Sequence, residues 1–166
     1  MAKSKAKAKA KAKPKSAQTA SRRRPSNRRT STAKAKAKPR PKHKFVASHH
    51  RDEDFKAGLR SYAHYRDLGM SDATGGMVQA HVIRFVPPCQ PEEVSKRHYH
   101  DVDFQMVYVL KGWIKTELEG QGAHVMHAGS AWIQPPRIEH VVLDYSDDCE
   151  VLEVVLPADF KTVELE

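Results

Sequence analysis

From Met77 onward the chain is cut into short runs of β-branched and aromatic residues, many of them stopped by glycine or proline. MVQAHVIRFV (Met77–Val86), FQMVYVL (Phe104–Leu110), WIKTEL (Trp113–Leu118), AHVMH (Ala123–His127), SAWIQ (Ser130–Gln134), IEHVVLD (Ile138–Asp144) and CEVLEVVL (Cys149–Leu156) follow one another. Short strands at a spacing of about 8–12 residues predict a mainly β sandwich or barrel rather than a βαβ fold. No glycine-rich phosphate loop and no GxSxG elbow interrupts them. Upstream, Asp52–Gly69 carries Phe55, Leu59, Tyr62 and Ala63 at helical spacing, with acids at its start and Gly69 at its end. That pattern predicts a short N-terminal helix leading into the fold. DATGG, Asp72–Gly76, reads as a turn.

Charge divides the 166 residues into two parts. Residues 1–44 hold 18 of the 29 Lys and Arg and none of the 20 Asp and Glu. Residues 45–166 therefore carry 11 basic against 20 acidic residues, a net −9 beneath an overall +9. The first part alternates Lys with Ala, is broken by Pro14, Pro25, Pro39 and Pro41, and contains no Leu, Ile, Val or Phe. Like charges at every second position repel, and nothing apolar is present to offset the entropy of ordering. Residues 1–44 are expected to be a disordered tail, and 45–166 a single domain whose strand-rich part spans about 77–156. The tail's composition resembles those of linker histones and bacterial histone-like proteins. Dense cationic charge without aromatic residues suits sequence-independent, salt-sensitive contact with DNA or RNA. A merely solubilising extension is the alternative.

The N-terminus has no apolar h-region, so it is not expected to be a secretory signal, and no apolar run is long enough for a membrane helix. Cys89 and Cys149 form no zinc-knuckle or redox spacing, and neither has a basic neighbour that would activate it. A reducing, cytoplasmic setting is expected.

The chemistry gathers in RHYHDVDFQMVYVLKG, Arg97–Gly112. On a strand, side chains alternate, so His98 and His100 point to the same face. PPRIEH, Pro135–His140, delivers a third histidine after a diproline turn. Three convergent imidazoles suit Zn, Cu, Fe or Ni better than they suit packing. By contrast, His81, His124 and His127 read as ordinary strand histidines, and His49 and His50 as solvated ones.

These residues resemble the two motifs of the cupin superfamily. The first is His-x-His, three or four residues, Glu, six residues, Gly; here it is His98, His100, Gln105 and Gly112. The second, Gly, five residues, Pro-x-Gly-x-x-His, three residues, Asn, falls on Gly129, Pro135, Arg137, His140 and Asp144. The short stretch from Gly112 to Gly129 is similar to that of small bacterial cupins. Four positions depart from the pattern: Gln105 for Glu, Arg137 for Gly, Asp144 for Asn, and Glu92 for the glycine that opens the first motif.

The resemblance implies a double-stranded β-helix, a jelly roll with an internal cavity. It implies a divalent transition metal (Fe(II), Zn, Mn, Ni or Cu) held by His98, His100, Gln105 and His140. A neutral glutamine leaves the ion its full charge, which favours an anionic or chelating substrate and is similar to the three-histidine dioxygenases. Oxygenase or isomerase/lyase chemistry and a homodimer are expected on the same ground. The alternatives are a non-catalytic ligand-binding module tethered to nucleic acid by its tail, and a metal-free structural cupin.

Overall fold

A computed structural model describes residues 42–165. The basic segment 1–44 lies outside them except for positions 42–44. The strands in chain order are β1 (Lys56–Ala57), β2 (Ala63–Asp67), β3 (Gln79–Phe85), β4 (His98–Asp101), β5 (Phe104–Lys111), β6 (Trp113–Leu118), β7 (Gly122–His127), β8 (Ala131–Ile133), β9 (His140–Tyr145), β10 (Glu150–Leu156) and β11 (Lys161–Glu164). Two short helices, α1 (Met70–Thr74) and α2 (Pro91–Val94), precede β3 and β4 respectively. One antiparallel sheet has the order β1-β2-β3-β10-β5-β8, the other β11-β4-β9-β6-β7.

Alternation along the strands builds the interior. Val107 and Val109 of β5 point inward while Tyr108 and Leu110 point out. They meet Phe85 of β3 and Val151 of β10 from their own sheet. Ile114 of β6 and Tyr145 of β9 arrive from the other sheet, so the two sheets face each other across one core. Each such buried aliphatic or aromatic side chain contributes about 1.5–3 kcal/mol relative to exposure. Tyr145 keeps its hydroxyl satisfied by donating to the Val86 carbonyl at 2.8 Å.

The seven predicted strands are all present, with ends shifted by a few residues. The helix expected over Asp52–Gly69 is not formed. That segment makes a 3-10 turn at Asp52–Asp54, then β1 and β2, which pair with one another, and β2 with β3. The helical spacing there is coincidental. Leu59 is exposed and Phe55 lies under the Arg84 guanidinium, 3.8 Å from its centroid, while Tyr62 and Ala63 turn inward. The four apolar residues share no face. A five-residue helix, α1, follows directly, over part of the stretch that reads as a turn.

Two motif positions show their reasons locally. Gly112 joins β5 to β6 at φ +65°, and a Cβ there would run into Ser146 and the Cys149 backbone. Arg137, where the second motif has glycine, also sits in the left-handed region, at φ 61°. It is held over the Tyr99 ring at 4.9 Å, donates to the Tyr99 hydroxyl at 3.1 Å, and its backbone N–H donates to the His100 carbonyl at 3.1 Å.

Candidate metal centre

β4 and β9 are neighbours in the second sheet, and His98 is paired directly with His140 across them. His100, two residues on from His98, projects from the same face of β4. Their rings come together: centroids are 4.3 Å apart for His98 and His140, 5.0 Å for His98 and His100, and 5.1 Å for His100 and His140. One ring nitrogen from each lies within 4.8 Å of the others.

Outer contacts orient the rings. His98 Nδ1 lies 2.7 Å from the Lys96 carbonyl and His140 Nδ1 lies 3.0 Å from the Ile138 carbonyl. A carbonyl only accepts, so both Nδ1 atoms carry the proton and both Nε2 atoms keep a lone pair. His100 Nδ1 is 2.9 Å from the Thr162 hydroxyl on β11. Burial, above all, together with neighbouring positive charge that includes Arg60, pushes each of the three imidazoles down to about 4. At neutral pH they are uncharged donors, the form a metal ion requires. The donor set therefore fits one transition-metal ion. The His140 Nε2 lone pair accepts from the buried Gln134 amide at 3.0 Å, and the Trp132 indole N–H donates to the other end of that amide at 3.2 Å. An ion at Nε2 would compete with this bond.

Gln105 stands on β5, buried to 2% exposure, and is not part of the cavity wall that the three histidines line. Its amide nitrogen donates to Glu153 Oε1 at 2.6 Å, and Glu153 Oε2 pairs with His81 Nε2 at 2.6 Å. β10 runs between β3 and β5, which places Glu153 directly opposite His81. Burial alone would raise the Glu153 carboxyl, but His81, the nearby His100 and the Gln105 amide together hold it below the ordinary value. The carboxylate that the first motif lacks at Gln105 is thus present one strand away, in contact with it.

The cavity has a volume of about 510 Å³. The histidines share its wall with Glu153, His81 and Arg60, and with an apolar side that includes Tyr62, Phe85, Trp132 and Phe160. Sequence reasoning passed over Glu153, which reads as one acid in a β-branched run, and Arg60, which falls in the mispredicted helix. His81, read as an ordinary satisfied histidine, is satisfied by Glu153 and also faces the cavity. His49, His50, His124 and His127 lie outside the cluster. Burial raises both cysteine thiols, Cys149 to about 12, so neither is a ready nucleophile.

Residues 89–155 match the family described as Cupin domain. Among solved structures the chain is similar to KdgF from Halomonas sp., at 20% identity and a TM-score of 0.52, covering 66% of this chain and 94% of that one. It is similar to the polyketide cyclase RemF from Streptomyces resistomycificus, at 18% identity and a TM-score of 0.56, covering 73% of this chain and 87% of that one. It is also similar to oxalate decarboxylase from Bacillus subtilis, at 17% identity and a TM-score of 0.54, covering 74% of this chain but 33% of the decarboxylase. At such identities the likeness carries the fold alone. No curated protein matches the sequence.

Proposed function

Because residues 89–155 match the cupin domain family and the chain folds as a cupin barrel, we propose that its cavity holds one divalent transition metal and binds a small anionic molecule beside it. The observation that carries this reading is the convergence on one point of three neutral imidazoles, those of His98 and His140 buried and that of His100 half-buried. His98, His100 and His140 are the proposed ligands. Gln105 is the proposed fourth ligand and the one oxygen donor among them: its side chain lies behind the lining residues rather than among them, and with its amide nitrogen committed to Glu153 only the carbonyl is left to serve an ion or its bound water.

A bound ion would supply Lewis acidity and open positions for an oxygen-donor ligand. The chain's own groups supply the rest. The Lys96 and Ile138 carbonyls fix the histidine tautomers, and the apolar wall excludes water from one side of the cavity. The His81–Glu153–Gln105 chain holds a carboxylate in the cavity wall. Oxygenase and isomerase or lyase chemistry both suit this arrangement. Metal analysis of protein purified without a histidine tag tests the metal reading, and oxygen uptake with a panel of small acids separates an oxygenase from the other classes.

A second reading concerns residues 1–44 and rests on the segregation of charge. A +18 segment joined to a −9 remainder suits tethering to a polyanion through the tail while the barrel binds its ligand. Among the described residues no helix is long and apolar enough to cross a membrane.

A further inference from the structure

We propose that Arg60 is the anion anchor of this cavity, the residue that takes a carboxylate of a small ligand whose remaining donors face the three histidines. The inference deepens the function proposed above and rests on it for the metal side of the site.

Arg60 stands in the loop between β1 and β2, outside residues 89–155. Its side chain is 10% exposed and lines the same cavity as His98, His100 and His140. One guanidinium nitrogen, Nη1, donates to Glu164 of β11. The other, Nη2, is buried and has no partner. Glu164 is paired with His98 across β11 and β4, so the clamp that holds Arg60 is built on the strand beside the metal ligands.

A buried, charged N–H with no acceptor is costly, and such groups are normally satisfied. A carboxylate meets the need. Its oxygens accept strong, charge-assisted bonds from guanidinium nitrogens, with a geometry lysine does not reproduce. Arg60 and all three imidazoles line one cavity, so its charge and the metal side face the same ligand space. A ligand spanning both would carry a carboxylate at one end and an oxygen donor at the other. The cavity's apolar side, with Tyr62 and Phe160, would cover its carbon skeleton. Uncharged molecules of the same shape would leave the guanidinium unpaired and bind poorly.

The test uses full-length protein loaded with Zn(II), at physiological salt to suppress contacts with the basic segment. Malonate is the probe and malonamide its uncharged counterpart, and binding is followed by the fluorescence of Trp132, which lines the cavity. The expected result is saturable malonate binding, with malonamide binding far more weakly. Arg60→Gln should weaken malonate roughly 10- to 100-fold. Arg60→Lys should recover part of that loss. Glu164→Gln, which removes the carboxylate charge that competes for the guanidinium, should bind malonate at least as tightly as the native chain. Zinc stoichiometry is measured on every variant: an unchanged value shows that the fold and the histidine cluster survive, and an absent one in the native chain would reject the metal reading by itself. Equal binding of malonate and malonamide, undiminished binding in Arg60→Gln, or no malonate binding by the native protein would each overturn the anchor. So would weakening by Glu164→Gln equal to that of Arg60→Gln, which is what a purely structural clamp requires.

Discussion

His98, His100 and His140 are pushed down to about 4 from an ordinary value of 6.5, chiefly by burial. In the unfolded chain the same groups protonate near 6.5. Between these values the unfolded state takes up protons that the folded state refuses, so stability rises with pH across the window and falls as acid is added. The metal-free protein should therefore lose stability from about pH 6.5 down to about pH 4. The urea midpoint followed along that range should slide downward, and His140→Gln should flatten the slope. A midpoint indifferent to pH would mean that the rings are solvated. Gln105 gives a second test at this scale. Gln105→Glu sets a carboxylate against Glu153 in place of the present 2.6 Å hydrogen bond. Without metal the variant should be less stable, by about 1–3 kcal/mol at neutral pH. With Mn(II) or Fe(II) it should bind the ion more tightly, as a charged oxygen ligand does. Titration calorimetry showing weaker binding would mean that the neutral amide has a role of its own.

The strands were legible because alternation survives in the sequence. Val107 and Val109 point in while Tyr108 and Leu110 point out, and turn residues mark the ends. The histidine cluster was legible for the same reason: His98 and His100 share a face by strand geometry, and the two-motif spacing brought in His140. Other features were not readable locally. Helical spacing at Asp52–Gly69 competed with strand pairing, and pairing with β3 won. Strand β11 is short, and it becomes visible only through its pairing with β4. Glu153 and Arg60 reach the cavity through neighbouring strands and a loop, contacts that no spacing within a motif encodes. At the element scale the turn between β5 and β6 is the sharpest test. Gly112→Ala must place a methyl group against Ser146 and the Cys149 backbone at a left-handed φ. Thermal or urea denaturation should show a loss of about 2–4 kcal/mol. A loss under 0.5 kcal/mol would mean that the turn relaxes freely.

At the scale of the whole molecule, the +18 and −9 parts should separate cleanly. Deleting residues 1–44 should leave thermal stability nearly unchanged, since that segment offers no Leu, Ile, Val or Phe to a core. The deletion should also abolish binding to unrelated DNA duplexes, which in the intact chain should weaken steeply between low and physiological salt. Binding that persists after truncation would put the nucleic-acid surface on the barrel. The proposed metal centre stands on the histidine cluster, and elemental analysis of the protein, purified with no histidine tag and no added metal, tests it. About one equivalent of a transition metal per chain is expected, lost in His100→Ala and kept in His49→Ala, whose histidine is exposed outside the cluster. A native chain without stoichiometric metal, even after incubation with Zn(II), Mn(II) or Fe(II), or a His100→Ala variant that still retains its ion, would mean that the three histidines are not a metal site.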